Sequence, residues 1–280
     1  MIKYEWDVFR STVMFLTRIP VGSDLPHDPI LLEKTPRYFP IVGMIVGAIH
    51  ILVFLVSYFL WNSTYLSLGL AMVSTIFATG AFHEDGFADA CDGFGGGWTK
   101  EKIIEIMKDS RLGTFGTVGL FGMLAIKFLS ISTIPQDFST CLIDENTFYN
   151  HFSLMAFTIL CGHGISRLMA VSAIQTGTYA TDNPGSKSKP LASVPLSKRA
   201  FGFAILTAFL PLFLFFPWYC WFALLPMWIG RTLMLRFFNK WIGGYTGDCL
   251  GAIQQVTEVL FYLSVSALLK FSSLFYNISF

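Results

Sequence analysis

Residues 65–97 read YLSLGLAMVSTIFATGAFHEDGFADACDGFGGG: an apolar run of membrane character, then four carboxylates at Glu84, Asp85, Asp89 and Asp92. The chain holds only 18 acids in 280 residues, so this is a dense concentration of charge placed directly against a hydrophobic segment. Composition accounts for the apolar part. Only 13% of residues are charged and 54% are hydrophobic, with 29 phenylalanines, whereas a soluble domain has about a quarter of its residues charged. Too few polar side chains remain to cover a wet surface. The expected fold is all-α, a polytopic membrane bundle whose backbone polar groups are satisfied within helices.

A spanning helix needs about 20 apolar residues. Runs at 41–60, 65–82, 112–134, 151–175 and 249–275 qualify, and 200–235, punctuated by Pro211, Pro217 and Pro226, reads as two helices turning near Pro217. That makes seven spans in a single catalytic domain, 1–280, with no internal repeat and a loop over 181–199. Basic residues fall in 1–40, 83–111, 176–199 and 231–248, while the connections at 61–64, 135–150 and 217 carry none. Every second connection is therefore basic, which puts the N-terminus and the acidic cluster on the cytoplasmic side. Residues 1–25 read as an amphipathic helix lying in the interface rather than a signal peptide. The five cysteines form no CxxC pair, so neither a disulfide framework nor a zinc site is indicated.

Within the cytoplasmic segment 83–111, Asp85, Asp89 and Asp92 stand at i, i+4 and i+7, one side of a helix. Ionised carboxylates so close repel, and a divalent cation relieves the conflict. Magnesium suits best, because it takes one or two carboxylates and leaves its other positions to water and phosphate. A solvated acidic loop with a glycine hinge is the plainer reading. Helical phasing beside a span favours the metal site. Gly93, Gly95, Gly96 and Gly97 would let the backbone approach a ligand, although they match no nucleotide-binding fingerprint. Next come Lys108, Asp109, Ser110 and Arg111, whose cations suit a diphosphate but equally suit ordinary cytoplasmic flanking charge.

Three further places carry polar groups. Arg167 lies in the fourth span with His163 one turn earlier, and an ionisable residue inside a span is a functional candidate. Lys127 in the third span is expected to snorkel to the opposite face. GGYTGD, residues 243–248, places Thr246 and Asp248 at a helix start, and Gln254, Gln255 and Glu258 form a polar stripe farther along it. Together these groups suit phosphoryl or nucleotidyl-type transfer involving an alcohol and a pyrophosphate at the membrane face.

TGAFHEDGFADACDGFGGG at 79–97 followed by EIMKDSRLGTFG at 105–116 resembles the signature of the cobalamin synthase family, adenosylcobinamide-GDP ribazoletransferases. FLTRIPV at 15–21, YFPIVGMIVG at 38–47, Ser166–Arg167 and IGGYTGDCLGA at 242–252 extend the resemblance along most of the chain. It implies the joining of adenosylcobinamide-GDP with α-ribazole or its 5′-phosphate, releasing GMP, at the bacterial inner membrane. It assigns Asp85, Asp89 and Asp92 to magnesium and the pyrophosphate, with Glu84, a departure from the family pattern, as a further ligand or a solvent-facing acid. Lys108 and Arg111 would hold phosphate oxygens, with Asp109 ligating the metal or orienting a cation. Ser110, Arg167, Thr246 and Asp248 would contact substrate. His83 is a candidate general base, with Asp85 or Asp89 as alternatives. Membrane lipid, a homo-oligomer and other membrane-bound enzymes of B12 assembly are the implied partners, and nucleic acid is not.

Two enzyme rivals share the chemistry. A CDP-alcohol phosphotransferase wants Ala-Arg where Gly96 and Gly97 stand, and an aspartate-motif membrane prenyltransferase wants two acidic loops where this chain has one. A cation transporter would need ionisable residues at mid-membrane depth within a repeated architecture, and Glu258 is the one strong candidate.

Overall fold

The computed structural model describes residues 2–26, 28–134, 145–180, 194–216 and 218–278. The chain is helical: α1 (Ile2–Leu16), α2 (Pro29–Lys34), α3 (Phe39–Trp61), α4 (Thr64–Thr79), α5 (Phe82–Gly96), α6 (Lys100–Met107), α7 (Thr114–Ser132), α8 (Glu145–Thr176), α9 (Lys198–Phe215), α10 (Leu224–Ile242) and α11 (Gly247–Ile278). Among the described residues the only strand-like contact is one bridge between Tyr179 and Tyr245. Pro217, and Lys187 and Lys189 of the 181–199 segment, lie outside the described residues.

Among the described residues five helical stretches are long and apolar enough to cross a membrane, or six if the bent pair α4–α5 is one span. α10 is the remaining member of the expected seven; Arg231, Arg236 and Lys240 keep its apolar character lower. The central helix is α8, 83% buried in its apolar window, whereas α7 and α9 stand at the periphery with 22% and 17%. Their outward faces expose Phe121 and Phe213, as surfaces meeting lipid do. α8 packs against α3, α9 and α11, and α11 packs along α5. Gly43 allows the α3–α8 approach, since a Cβ there would strike the His163 carbonyl. This is the close backbone contact that small residues permit in membrane bundles.

The turn before the acidic segment decides where the acids go. Ser63 caps α4 by accepting from Leu66 N at 3.4 Å. The helix ends at Gly80 (φ +65°), where Ala81 N–H donates to Ile76 O at 2.8 Å and Gly80 N–H to Phe77 O at 3.1 Å, a Schellman closure. Ala81 is also left-handed (φ +59°), a conformation that costs a non-glycine residue about 1 kcal/mol or more. The chain thus leaves α4 at 87° and begins α5 across its end. The segment 83–111 is mostly helix, formed by α5 and α6.

Candidate active site

α5 and α11 cross at paired glycines. A Cβ on Gly86 would sit 3.0 Å from Asp248 Cα, and one on Gly251 would sit 3.3 Å from the His83 carbonyl oxygen. Larger residues would push the helices apart. The crossing joins two distant parts of the chain into one acidic patch: Asp85, exposed, and Asp89, half-buried, on α5, with Asp248 in the first turn of α11. Asp89 faces the like charges of Asp85, Asp248 and Asp92, and Asp248 faces that of Asp85. Thr246 holds the start of α11, accepting from Cys249 N at 3.3 Å, so its hydroxyl is a helix cap.

Asp92 stands apart from the other two α5 aspartates. Its Oδ2 accepts from Gly113 N at 2.7 Å and its Oδ1 from Gly116 N at 2.8 Å. It therefore caps the N-terminus of α7 from a neighbouring helix, where the helix dipole favours a negative charge. Asp92→Ala should lower stability by about 1 kcal/mol and leave a measurable fraction of whatever activity the chain has. A thermal melt in detergent beside an activity assay checks this, and unchanged stability would reject the capping role.

Glu84 and His83 point the other way, into the bundle. Glu84 Oε1 accepts from Gln255 Nε2 at 2.9 Å, while its Oε2 has no partner among the described residues. His83 is 5% exposed, edge-on to Phe82 at 5.3 Å, and lines a narrow cavity with Phe15, Phe39 and Arg167. α5 thus divides its polar residues between an outer acidic face and an inner face buried in helices. The i, i+4, i+7 spacing identifies the outer face but does not separate the solvent-reaching Asp85 from the capped Asp92.

After α6 the chain exposes Lys108, Ser110 and Arg111. Asp109 grips Arg111 in a fork, with Nη2–Oδ2 at 2.6 Å and Nε–Oδ1 at 3.0 Å. The hydrogen bond from Arg111 holds the Asp109 carboxyl down at about 2, so this acid stays ionised across the physiological range. Its visible part is to orient a guanidinium. The glycines following the acids serve packing: side chains at Gly93 and Gly95 would strike Met107 and Phe115, so their absence lets α6 and α7 close on α5.

Among the described residues no three His, Cys, Asp or Glu side chains form a ready-made metal cage. The acidic patch suits a different mode, an ion held by one or two carboxylates with water and phosphate oxygens completing its shell. Asp85 and Asp89, one turn apart on the same face, with Asp248 across the crossing, are the residues that fit it.

Comparison with known proteins fixes the family. The family described as Cobalamin-5-phosphate synthase matches residues 8–266 of this chain. The chain belongs to that family. Similar relatives are named adenosylcobinamide-GDP ribazoletransferase: one from Vibrio cholerae is 39% identical over 275 residues, 96% of this chain and 97% of the relative. Those from Leptospira interrogans (39%, covering 95% and 97%) and Shewanella frigidimarina (38%, covering 94% and 95%) are close behind. No solved structure matches this chain significantly.

In this family member a second polar assembly lies beneath the acidic patch. Glu258 is its centre: Lys127 Nζ lies 3.2 Å from one oxygen, and Tyr262 donates to it at 3.3 Å. Gln254 donates to the other oxygen, with His163 Nδ1 at 3.7 Å and Arg167 at 4.0 Å. Lys127 also donates to Gln255 at 2.6 Å. The expectation that Lys127 snorkels is overturned, for it is 6% exposed. A carboxylate at its own depth neutralises it in place, which removes the reason to reach for water. Opposite charges inside two separate spans were the sequence signal for this pair.

Arg167 is 2% exposed, donates to the His163 carbonyl at 2.9 Å and leaves Nε without a partner among the described residues. It sits under the patch, within the bundle. Sequence reasoning also passed over Arg18, whose guanidinium packs over Gly80 at the start of α5 and whose backbone N donates to Ala78 O at 2.7 Å.

Proposed function

We propose that this chain joins adenosylcobinamide-GDP to α-ribazole or its 5′-phosphate, giving adenosylcobalamin or its 5′-phosphate and GMP. The names of its relatives support the substrates. The observation that carries the reading is the convergence of Asp85, Asp89 and Asp248, followed by exposed Lys108 and Arg111. In the reaction the ribazole 3′-hydroxyl oxygen bonds to the phosphorus nearer the cobinamide, the bond from that phosphorus to GMP breaks, and the hydroxyl proton passes to a base.

Magnesium held by Asp85 and Asp89, with Asp248 opposite, would neutralise the pyrophosphate and polarise its phosphorus towards attack. Lys108 and an Arg111 held by Asp109 offer charge-assisted hydrogen bonds where the GMP phosphate gains charge. His83 lies beneath the patch against Phe82, away from its outer face, so Asp89 is the better placed acceptor for the hydroxyl proton. The alternation of basic connections supports a patch facing the cytoplasm at the bacterial inner membrane.

The test is GMP release by the full chain in liposomes with adenosylcobinamide-GDP and α-ribazole 5′-phosphate. Release should require the ribazole, cease with EDTA and return with excess magnesium. Folded protein that yields no GMP would reject the reaction. Release that persists in EDTA would reject the metal.

A further inference from the structure

An open groove of about 260 Å³ lies between the C-terminal end of α8 and the second half of α10, with Gly244 at its edge. Its polar lining comes from Arg231, Arg236, Asn239, Thr176, Thr178 and Thr232. Thr176 already donates to Ser172 O at 2.9 Å, the others can donate hydrogen bonds to a ligand, and none of these lining residues is an acid.

Arg231 is the unusual member. It is 4% exposed and fixed by neutral partners, with Nε to Ser172 Oγ at 3.0 Å, Nη2 to Ser172 O at 2.6 Å and Nη2 also to Thr176 Oγ1. Its guanidinium lies 5.0 Å over the Trp228 ring. These contacts close the end of α8 and hold the side chain rigid, but they supply no negative charge. Among the described residues no carboxylate pairs with Arg231 or Arg236, whereas the other deeply buried cations, Lys127 and Arg167, both reach Glu258. A buried charge is ordinarily paired. Thr232 Oγ1 is also buried without a partner among the described residues.

We propose that this groove binds a phosphate group. Two guanidinia, the Thr178 and Thr232 hydroxyls and an amide, with no acid among the described lining residues, match the acceptor-only oxygens of a phosphate monoester. Gly244 borders the groove and Asp248 stands in the first turn of α11 four residues later, so one short turn of chain links the groove to the acidic patch. Resting on the reaction proposed above, the phosphate is the 5′-phosphate of the ribazole acceptor, held on the far side of that turn from the pyrophosphate. An anionic lipid headgroup offers the same chemistry from a second source.

Arg236 is exposed, so Arg236→Gln should fold, and Thr232→Val provides an uncharged companion. In phosphatidylcholine liposomes, Arg236→Gln should raise KM for α-ribazole 5′-phosphate about tenfold more than KM for α-ribazole, the worth of one charge-assisted hydrogen bond. Thr232→Val should shift the same ratio in the same direction by less. The lipid arm repeats the assay with phosphatidylglycerol added: a wild-type response to it that Arg236→Gln loses would make the phosphate a headgroup's. Equal KM shifts for both acceptors, with no change in the lipid response, would overturn the groove. If the wild-type protein releases no GMP, the groove is read by melting in inorganic phosphate. A midpoint raised in wild type and not in Arg236→Gln supports it, and identical behaviour rejects it.

Discussion

Asp89→Asn is expected to lower ribazole-dependent GMP release on the order of 10³-fold without unfolding the protein. The residue is half-buried and faces the negative charges of Asp85, Asp248 and Asp92. An amide there removes a ligand oxygen and a proton acceptor together. It also removes one member of a mutually repelling set, so the melting midpoint in chelator should stay the same or rise. This opposite movement separates a working acid from a structural one. Asp92→Ala should behave the other way, because both its oxygens hold backbone N–H groups of α7. A loss of midpoint with Asp89→Asn equal to that of Asp92→Ala would make Asp89 a structural residue and remove the main support for the reaction.

Glu258→Gln is expected to be the most destabilising single change, by about 3–5 kcal/mol. The glutamine keeps the shape but leaves Lys127 and Arg167, 6% and 2% exposed, without their carboxylate. Neither cation can reach water without displacing packed helices. Lys127→Met combined with Glu258→Gln should cost less than the two changes added separately, since each removes the other's penalty. Unfolding in mixed detergent micelles measures all three variants. Strict additivity would show that the short distance between Lys127 and Glu258 carries no coupling. A cost below about 1 kcal/mol for Glu258→Gln would show the assembly to be incidental to the bundle.

The two experiments address different layers of the molecule. In the proposed reaction the outer acids would carry the chemistry, with a repulsion that binding would relieve, whereas the inner charges are already compensated within the bundle. α5 supplies both layers, with Asp85 and Asp89 outward and Glu84 bonded inward to Gln255. A change at the α5–α11 crossing should therefore disturb both layers together.

The amino-acid sequence alone determined the membrane class and the positions of the apolar helices, because a span must satisfy its own backbone and this forces long apolar runs that are visible locally. It also determined that Asp85, Asp89 and Asp92 share a helix face and that Lys108 and Arg111 follow them, since spacing along one helix is a local property. Only the tertiary structure decided what each face meets. Asp92 finds the backbone of Gly113 and Gly116, Lys127 finds Glu258, and Asp248 joins Asp85 and Asp89 because Gly86 and Gly251 let two helices approach. Periodicity specifies the direction in which a side chain leaves its helix. Its partner, and hence its charge balance and role, depends on how distant helices pack.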